Sequence, residues 1–108
     1  MAYCGNALYE LERARVSLRG RSPDDLLDAA RRVLRAYYYL RGIDPGYALV
    51  SLAESALADE RLSDLVKAVG LLSLARAYGA RRSLVDSARK IVESRCMEVQ
   101  REYEERCK

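Results

Sequence analysis

The sequence predicts an all-α fold: a five-helix antiparallel bundle, or a compact array of helical hairpins, with a long C-terminal helix. Three observations predict it. Apolar residues recur at i, i+3, i+4 and i+7 along most of the chain, the spacing of one buried helical face. No stretch alternates apolar and polar residues as a half-buried strand would. The punctuation is helical as well. The two prolines, Pro23 and Pro45, each follow a residue of helix-capping type, and Gly20, Gly42 and Gly79 stand where helices stop. With 108 residues, half of them apolar and a third charged, the chain suits a single globular domain over 1–108 with a modest core.

The first helix is expected near 5–19, with Leu8, Leu11, Ala14 and Leu18 on its inner face. The second, near 23–41, opens on "SPDD": Ser22 caps, Pro23 takes the first helical position, and Asp25 completes a capping box at the positive end of the dipole. Leu26, Ala30, Val33, Leu34, Tyr37 and Leu40 line it. The third, near 45–60, repeats the device with "DPGY" and carries Leu49, Leu52, Ala53, Ala56 and Leu57. The fourth, near 64–78, reads "DLVKAVGLLSLARAYG" and is apolar around most of its circumference. It is therefore expected at the centre, packed on several sides. The fifth, near 84–107, has Ser83 as its cap and Leu84, Ala88, Ile91, Val92 and Val99 as its stripe.

That last helix would run about 36 Å, against about 22–24 Å for the first, third and fourth. Its final turns, "VQREYEERCK", are polar apart from a thin line of Val99, Tyr103 and Cys107. They are expected to overhang the bundle, either fraying or pairing with another subunit or a partner protein. Val99, Tyr103 and Cys107 are thus the candidate protein interface.

The run "RAYYYLRG" over 35–42 poses a geometric problem, because three successive helical side chains cannot share one face. Tyr37 falls in the middle of the second helix's inner face and Tyr38 at its edge. Tyr39 falls outside, in the sector of Asp28, Arg32 and Arg35, and is expected to be exposed. It would either pair with Arg35 at i, i+4 or serve as a stacking residue.

The chemistry of catalysis is thin. The chain has no histidine, the commonest general base and metal ligand. No phosphate-cradling, dinucleotide, nucleophile-elbow or zinc-protease motif occurs. The acid pairs Asp24–Asp25, Asp59–Glu60 and Glu104–Glu105 suit helix ends and solvated faces. Three cysteines, Cys4, Cys96 and Cys107, form no CxxC pair, so neither a zinc site nor a disulfide framework is expected. No enzyme, cofactor, metal or small-molecule substrate is anticipated. The opening "MAYCGNALYELERARV" lacks a basic region followed by a long apolar run, and no stretch is apolar enough to span a membrane. A cytoplasmic, membrane-free protein is the expectation.

Charge is modest in sum, +3, but uneven along the chain. All but three of the 19 cationic side chains (Lys67, Lys90 and Lys108) are arginine, a thermophile-like bias. If the five helices alternate up and down, the turns near Gly42 and Gly79 lie at one end. Arg35, Arg41, Arg76, Arg81, Arg82 and Arg89 would gather there beside Tyr38 and Tyr39. Cations for phosphates with ring faces for bases are what a single-stranded RNA or DNA contact needs. Two readings follow: a non-enzymatic interaction or assembly module that meets a protein partner or its own copies through helix faces and the last helix, or a small nucleic-acid-binding subunit of a ribonucleoprotein.

Overall fold

A computed structural model describes residues 2–108. It is all-helical: α1 (Cys4–Ser17), α2 (Pro23–Leu40), α3 (Leu49–Ala56), α4 (Ser63–Tyr78) and α5 (Arg82–Cys107), with a 3-10 turn over Glu60–Leu62 leading into α4. The predicted stops hold. Gly42 and Gly79 adopt φ of +74° and +80°, a left-handed conformation that side chains with a Cβ rarely take. Ser22 caps α2 by accepting from the Asp25 N–H at 3.1 Å, and its hydroxyl donates to the Asp25 carboxylate at 2.8 Å. Ser83 does not cap α5, which begins at Arg82 with Arg81 in the cap position.

The largest departure is α3. The "DPGY" start does not open a helix, because Gly46 takes φ of +64° and turns the chain away. Only 8 residues become α-helical, too few to cross the bundle. Four helices therefore make the full traverse. Arg76 pairs with Asp24 at 3.0 Å and Arg89 donates to the Leu18 carbonyl, so α4 ends and α5 begins beside the α1–α2 turn. At the other end Arg41 pairs with Glu102 at 2.7 Å and Arg106 donates to the Leu40 carbonyl at 3.2 Å. The long helices alternate in direction along the chain, and α2 and α5 come to lie side by side in the same direction. α1 packs on both of them from one side and α4 packs on both from the other; α3 covers part of the α2–α4 edge.

This four-stroke path brings the chain ends together, where five strokes would have held them apart. Cys4 and Cys107 form a disulfide, Cα–Cα 5.8 Å, across a sequence separation of 103. A disulfide framework was not expected and one bond does not make one, but sequence spacing carried no sign of this bond, because it says nothing about cysteines that meet only through topology.

The centre of the molecule is α2. None of its residues from Leu26 to Leu40 is exposed. Small side chains (Ala7, Ala14, Ala29, Ala36) are fully buried and let the helices approach closely. Helix α4, expected at the centre, buries Leu65, Ala68, Val69, Leu72 and Ala75 but leaves Leu74 59% and Tyr78 86% exposed. Among the described residues no helix is long and apolar enough to cross a membrane.

Candidate docking groove

The shortened α3 also separates the predicted basic patch. Arg35 and Arg41 lie toward one end and Arg76, Arg81, Arg82 and Arg89 at the other, so the single Arg/Tyr end does not form. Several of these arginines are engaged. Arg35 meets Glu10 at 3.3 Å, the Gly46 carbonyl and the Tyr39 hydroxyl. Arg41 pairs with Glu102 and lies 3.4 Å above the Tyr37 ring. Arg76 has Asp24, and Arg89 has Glu93 at 2.7 Å. Arg81 and Arg82 are exposed and have no ion-pair partner among the described residues.

The tyrosine run departs from its expected pattern at one position, Tyr39. Tyr37 is buried and its hydroxyl donates to Asp59. Tyr38 is half-buried and stands edge-on to Tyr37. Tyr39, expected outside, is only 7% exposed: Tyr3 packs edge-on against it at 6.0 Å, and the Tyr3 N–H donates to its carbonyl. The Arg35–Tyr39 pair exists, with the guanidinium 5.4 Å from the ring centroid, but inside the wall formed by α1 and the residues before it.

An ionic cluster that the sequence reading missed explains that wall. Glu10 of α1 is 4% exposed and sits between Arg32 (3.2 Å) and Arg35 (3.3 Å) of α2. Asp28 accepts from Ser17 at 2.6 Å and from Arg31 at 2.9 Å. Tyr47 lies under three guanidinium groups, those of Arg31, Arg32 and Arg35, at 5.0–5.7 Å. Burial works against the Arg32 charge, but the hydrogen bond and field of Glu10, with Asp28 behind it, outweigh it and hold its pKa above the ordinary value. Glu10 lies beside Leu11 and one turn from Ala7 and Ala14, all fully buried, a position that its own charge hid from the apolar pattern.

The expected C-terminal interface is occupied within the chain. Val99 and Tyr103 are 4% and 7% exposed, and Cys107 is in the disulfide. α5 does not overhang at its end. Its surplus length lies at its start, where of residues 82–87 only Val85 is not exposed.

What α5 does leave open is a groove against α1. It is lined by Arg15, Leu18, Glu93, Cys96, Met97, Gln100 and Arg101 and encloses about 350 Å³. The α5 positions fall at i, i+3, i+4, i+7 and i+8, one helical stripe. Cys96 is 5% exposed, and burial pushes its thiol pKa up, so it stays protonated and acts as an apolar lining. Met97 is 66% exposed, an unbranched, adaptable side chain on the rim. Arg15 and Arg101 are exposed and without ion-pair partners among the described residues, whereas Glu93 is neutralised by Arg89. The Gln100 Oε1 is buried without a hydrogen-bond donor. The groove is apolar within and positive at its edge.

Among the described residues no group of three or more His, Cys, Asp or Glu side chains is placed to hold a metal ion. Comparison with protein-family models, curated proteins and solved structures finds no match to this chain.

Proposed function

We propose that the protein is a non-enzymatic helical interaction module that docks a protein partner in the α1–α5 groove. The observation that carries this reading is Met97, two-thirds exposed at the rim of an apolar cleft whose flanking cations, Arg15 and Arg101, have no ion-pair partner among the described residues. Helix-in-groove recognition uses this combination of an apolar floor, a flexible methionine and a charged rim. Native-complex purification followed by mass spectrometry tests it. Bait carrying Met97→Asp should keep its helical circular dichroism and lose the partners that the wild-type bait retains. Retention of the same partners by the variant would exclude the groove.

A nucleic-acid reading keeps support only at the α4–α5 turn, where Tyr78 is 86% exposed beside Arg81 and Arg82. On that reading single-stranded RNA binds at low salt, and Arg81→Ala with Arg82→Ala lowers the log–log salt slope by about 0.7 per lost phosphate contact. No binding to mixed-sequence RNA at low salt removes it. The cytoplasmic setting expected from the sequence is compatible with the Cys4–Cys107 bond where intracellular disulfides persist, as in hyperthermophiles; elsewhere the bond calls for an oxidising compartment.

A further inference from the structure

We propose that the occupant of the groove is helix α3 of a second copy of this chain, so that copies associate head to tail. The inference rests on the docking reading above and names its partner. Helix α3 carries an outward ridge that no described residue covers. Val50 is 70% and Leu57 69% exposed, and they stand at i and i+7 with the exposed Glu54 between them at i+4. Asp44 precedes α3 and Glu60 follows it in the chain, both exposed, with one exposed cation, Arg61, next to Glu60. Asp44, Glu54 and Glu60 have no ion-pair partner among the described residues. The ridge is thus convex, apolar and acidic, and the groove is concave, apolar and basic.

Charge decides how two such surfaces meet. Groove against groove would oppose Arg15 and Arg101 to their own kind, and ridge against ridge would oppose Glu54 to Glu54. Only ridge into groove pairs opposite signs while burying Val50 and Leu57 against Leu18, Cys96 and Met97. The fold keeps the two surfaces apart. α3 lies on the α2–α4 edge and the groove on the α1–α5 edge, on opposite sides of the bundle, so no chain can satisfy itself. Such a contact is heterologous, and a docked copy still presents a free groove to the next. An eight-residue helix buries less than a standard interface, so the association is weak and appears only at high concentration.

Sedimentation of the full chain, disulfide intact, from about 10 μM to about 1 mM tests this. Wild type should rise in mass with concentration, and less so as salt is added. Met97→Asp removes the groove and Leu57→Asp the ridge; each alone should stay monomeric with unchanged circular dichroism. Mixed, the two variants retain one good ridge and one good groove between them and should form a 1:1 dimer and nothing larger. A wild-type monomer throughout overturns the proposal, as does a mixture that stays monomeric or a Leu57→Asp chain that still associates. If wild type is monomeric yet Met97→Asp still sheds a partner in the native purification, the groove reading stands and the second copy falls. If neither responds, both fall.

Discussion

Helices α2 and α4 invert what their sequences advertise. α2 carries Asp28, Arg31, Arg32 and Arg35, yet none of its residues between Leu26 and Leu40 is exposed. α4 carries no charge between Lys67 and Arg76, yet it turns Leu74 and Tyr78 to solvent. Centrality is therefore not set by how apolar a helix is. It is set by how many neighbours the connections bring and by whether those neighbours complete its polar groups. α1 supplies Glu10 and Ser17 to α2, α5 supplies Glu102, and the loop before α3 supplies Tyr47 and the Gly46 carbonyl. α4 packs on α2 and α5 along its inner side, but its outer side receives only the short α3, and Leu74 and Tyr78 stay exposed.

The largest effect expected from breaking α2's enclosure comes from the clamp on its two walls. The Cys4–Cys107 bond joins α1 to α5 across nearly the whole chain. In the chain-entropy account, closing a loop of about 100 residues is worth about 4–5 kcal/mol. Cys4→Ser with Cys107→Ser should lose stability of that order in urea unfolding. A loss under about 1 kcal/mol would mean that packing, and not the bond, holds the walls. Next comes Glu10→Gln, which leaves the half-buried Arg35 without an ion-pair partner among the described residues and the half-buried Arg32 with Asp28 alone at 3.7 Å. Removing one partner of a buried ionic cluster costs about 3–5 kcal/mol, readable as a fall in the urea midpoint at constant slope. A loss below about 1 kcal/mol would show that water reaches the cluster and that α2 is less enclosed than its geometry indicates.

The two faces of α4 give a sharper contrast within one helix. Leu72 is fully buried and Leu74 is 59% exposed, two residues apart. Leu72→Ala should cost about 2–5 kcal/mol, the transfer loss plus a cavity. Leu74→Ala should stay within about 0.5 kcal/mol. Equal losses at the two positions would mean that α4's outer face is covered in solution, as it would be if another copy or a partner sat on it.

Much of this fold could be read from residues whose role is local. Ser22, Asp25, Gly42 and Gly79 set helix ends by backbone chemistry, and the stripes of α1 and α2 were visible because their periods are unbroken. What could not be read depended on one length. "DPGY" resembles a helix start, but Gly46 spends its freedom on a turn, and α3 shrinks to 8 residues. That single change moved the Gly42 and Gly79 turns to opposite ends and split the arginine patch. It also brought Cys4 to Cys107. Tyr39 failed for another reason: periodicity locates a face but not what lies on it, and Tyr3 and the Glu10 cluster cover the face it points to. The α1–α5 groove was illegible too, since its lining comes from two helices and nothing in the sequence says that α1 lies beside the Cys96–Arg101 side of α5.

The smallest expected effect tests where α2's enclosure ends. At its last turns the Tyr37 hydroxyl donates to Asp59, which also accepts from the Arg61 N–H at 2.9 Å and so caps the 3-10 turn before α4. The Tyr37 hydrogen bond, helped by the Arg61 N–H and the nearby guanidinium groups against a small burial penalty, holds the Asp59 carboxyl below its ordinary value of 3.8. Burial first, and the bond to Asp59 second, hold the Tyr37 phenol above its own ordinary value of 10.0. The signs follow from linkage. A carboxyl lowered by folding adds stability above its unfolded value and loses it as pH falls through the folded one. A phenol raised by folding adds stability below its unfolded value and loses it as pH rises through the folded one. The pair therefore contributes a plateau from mild acid to about pH 10, falling away at both ends. Tyr37→Phe keeps the ring beneath Arg41 and removes only the hydroxyl. With Asp59 open to solvent on one side, the loss at neutral pH should be about 0.5–1 kcal/mol. The wild-type minus variant difference, followed by urea unfolding from pH 7 downward, should shrink below pH 3.8 as Asp59 takes up its proton. A difference that stays constant to pH 2 would assign it to packing at the ring. The link between α2 and the α4 entrance would then be steric, with no contribution from the carboxylate.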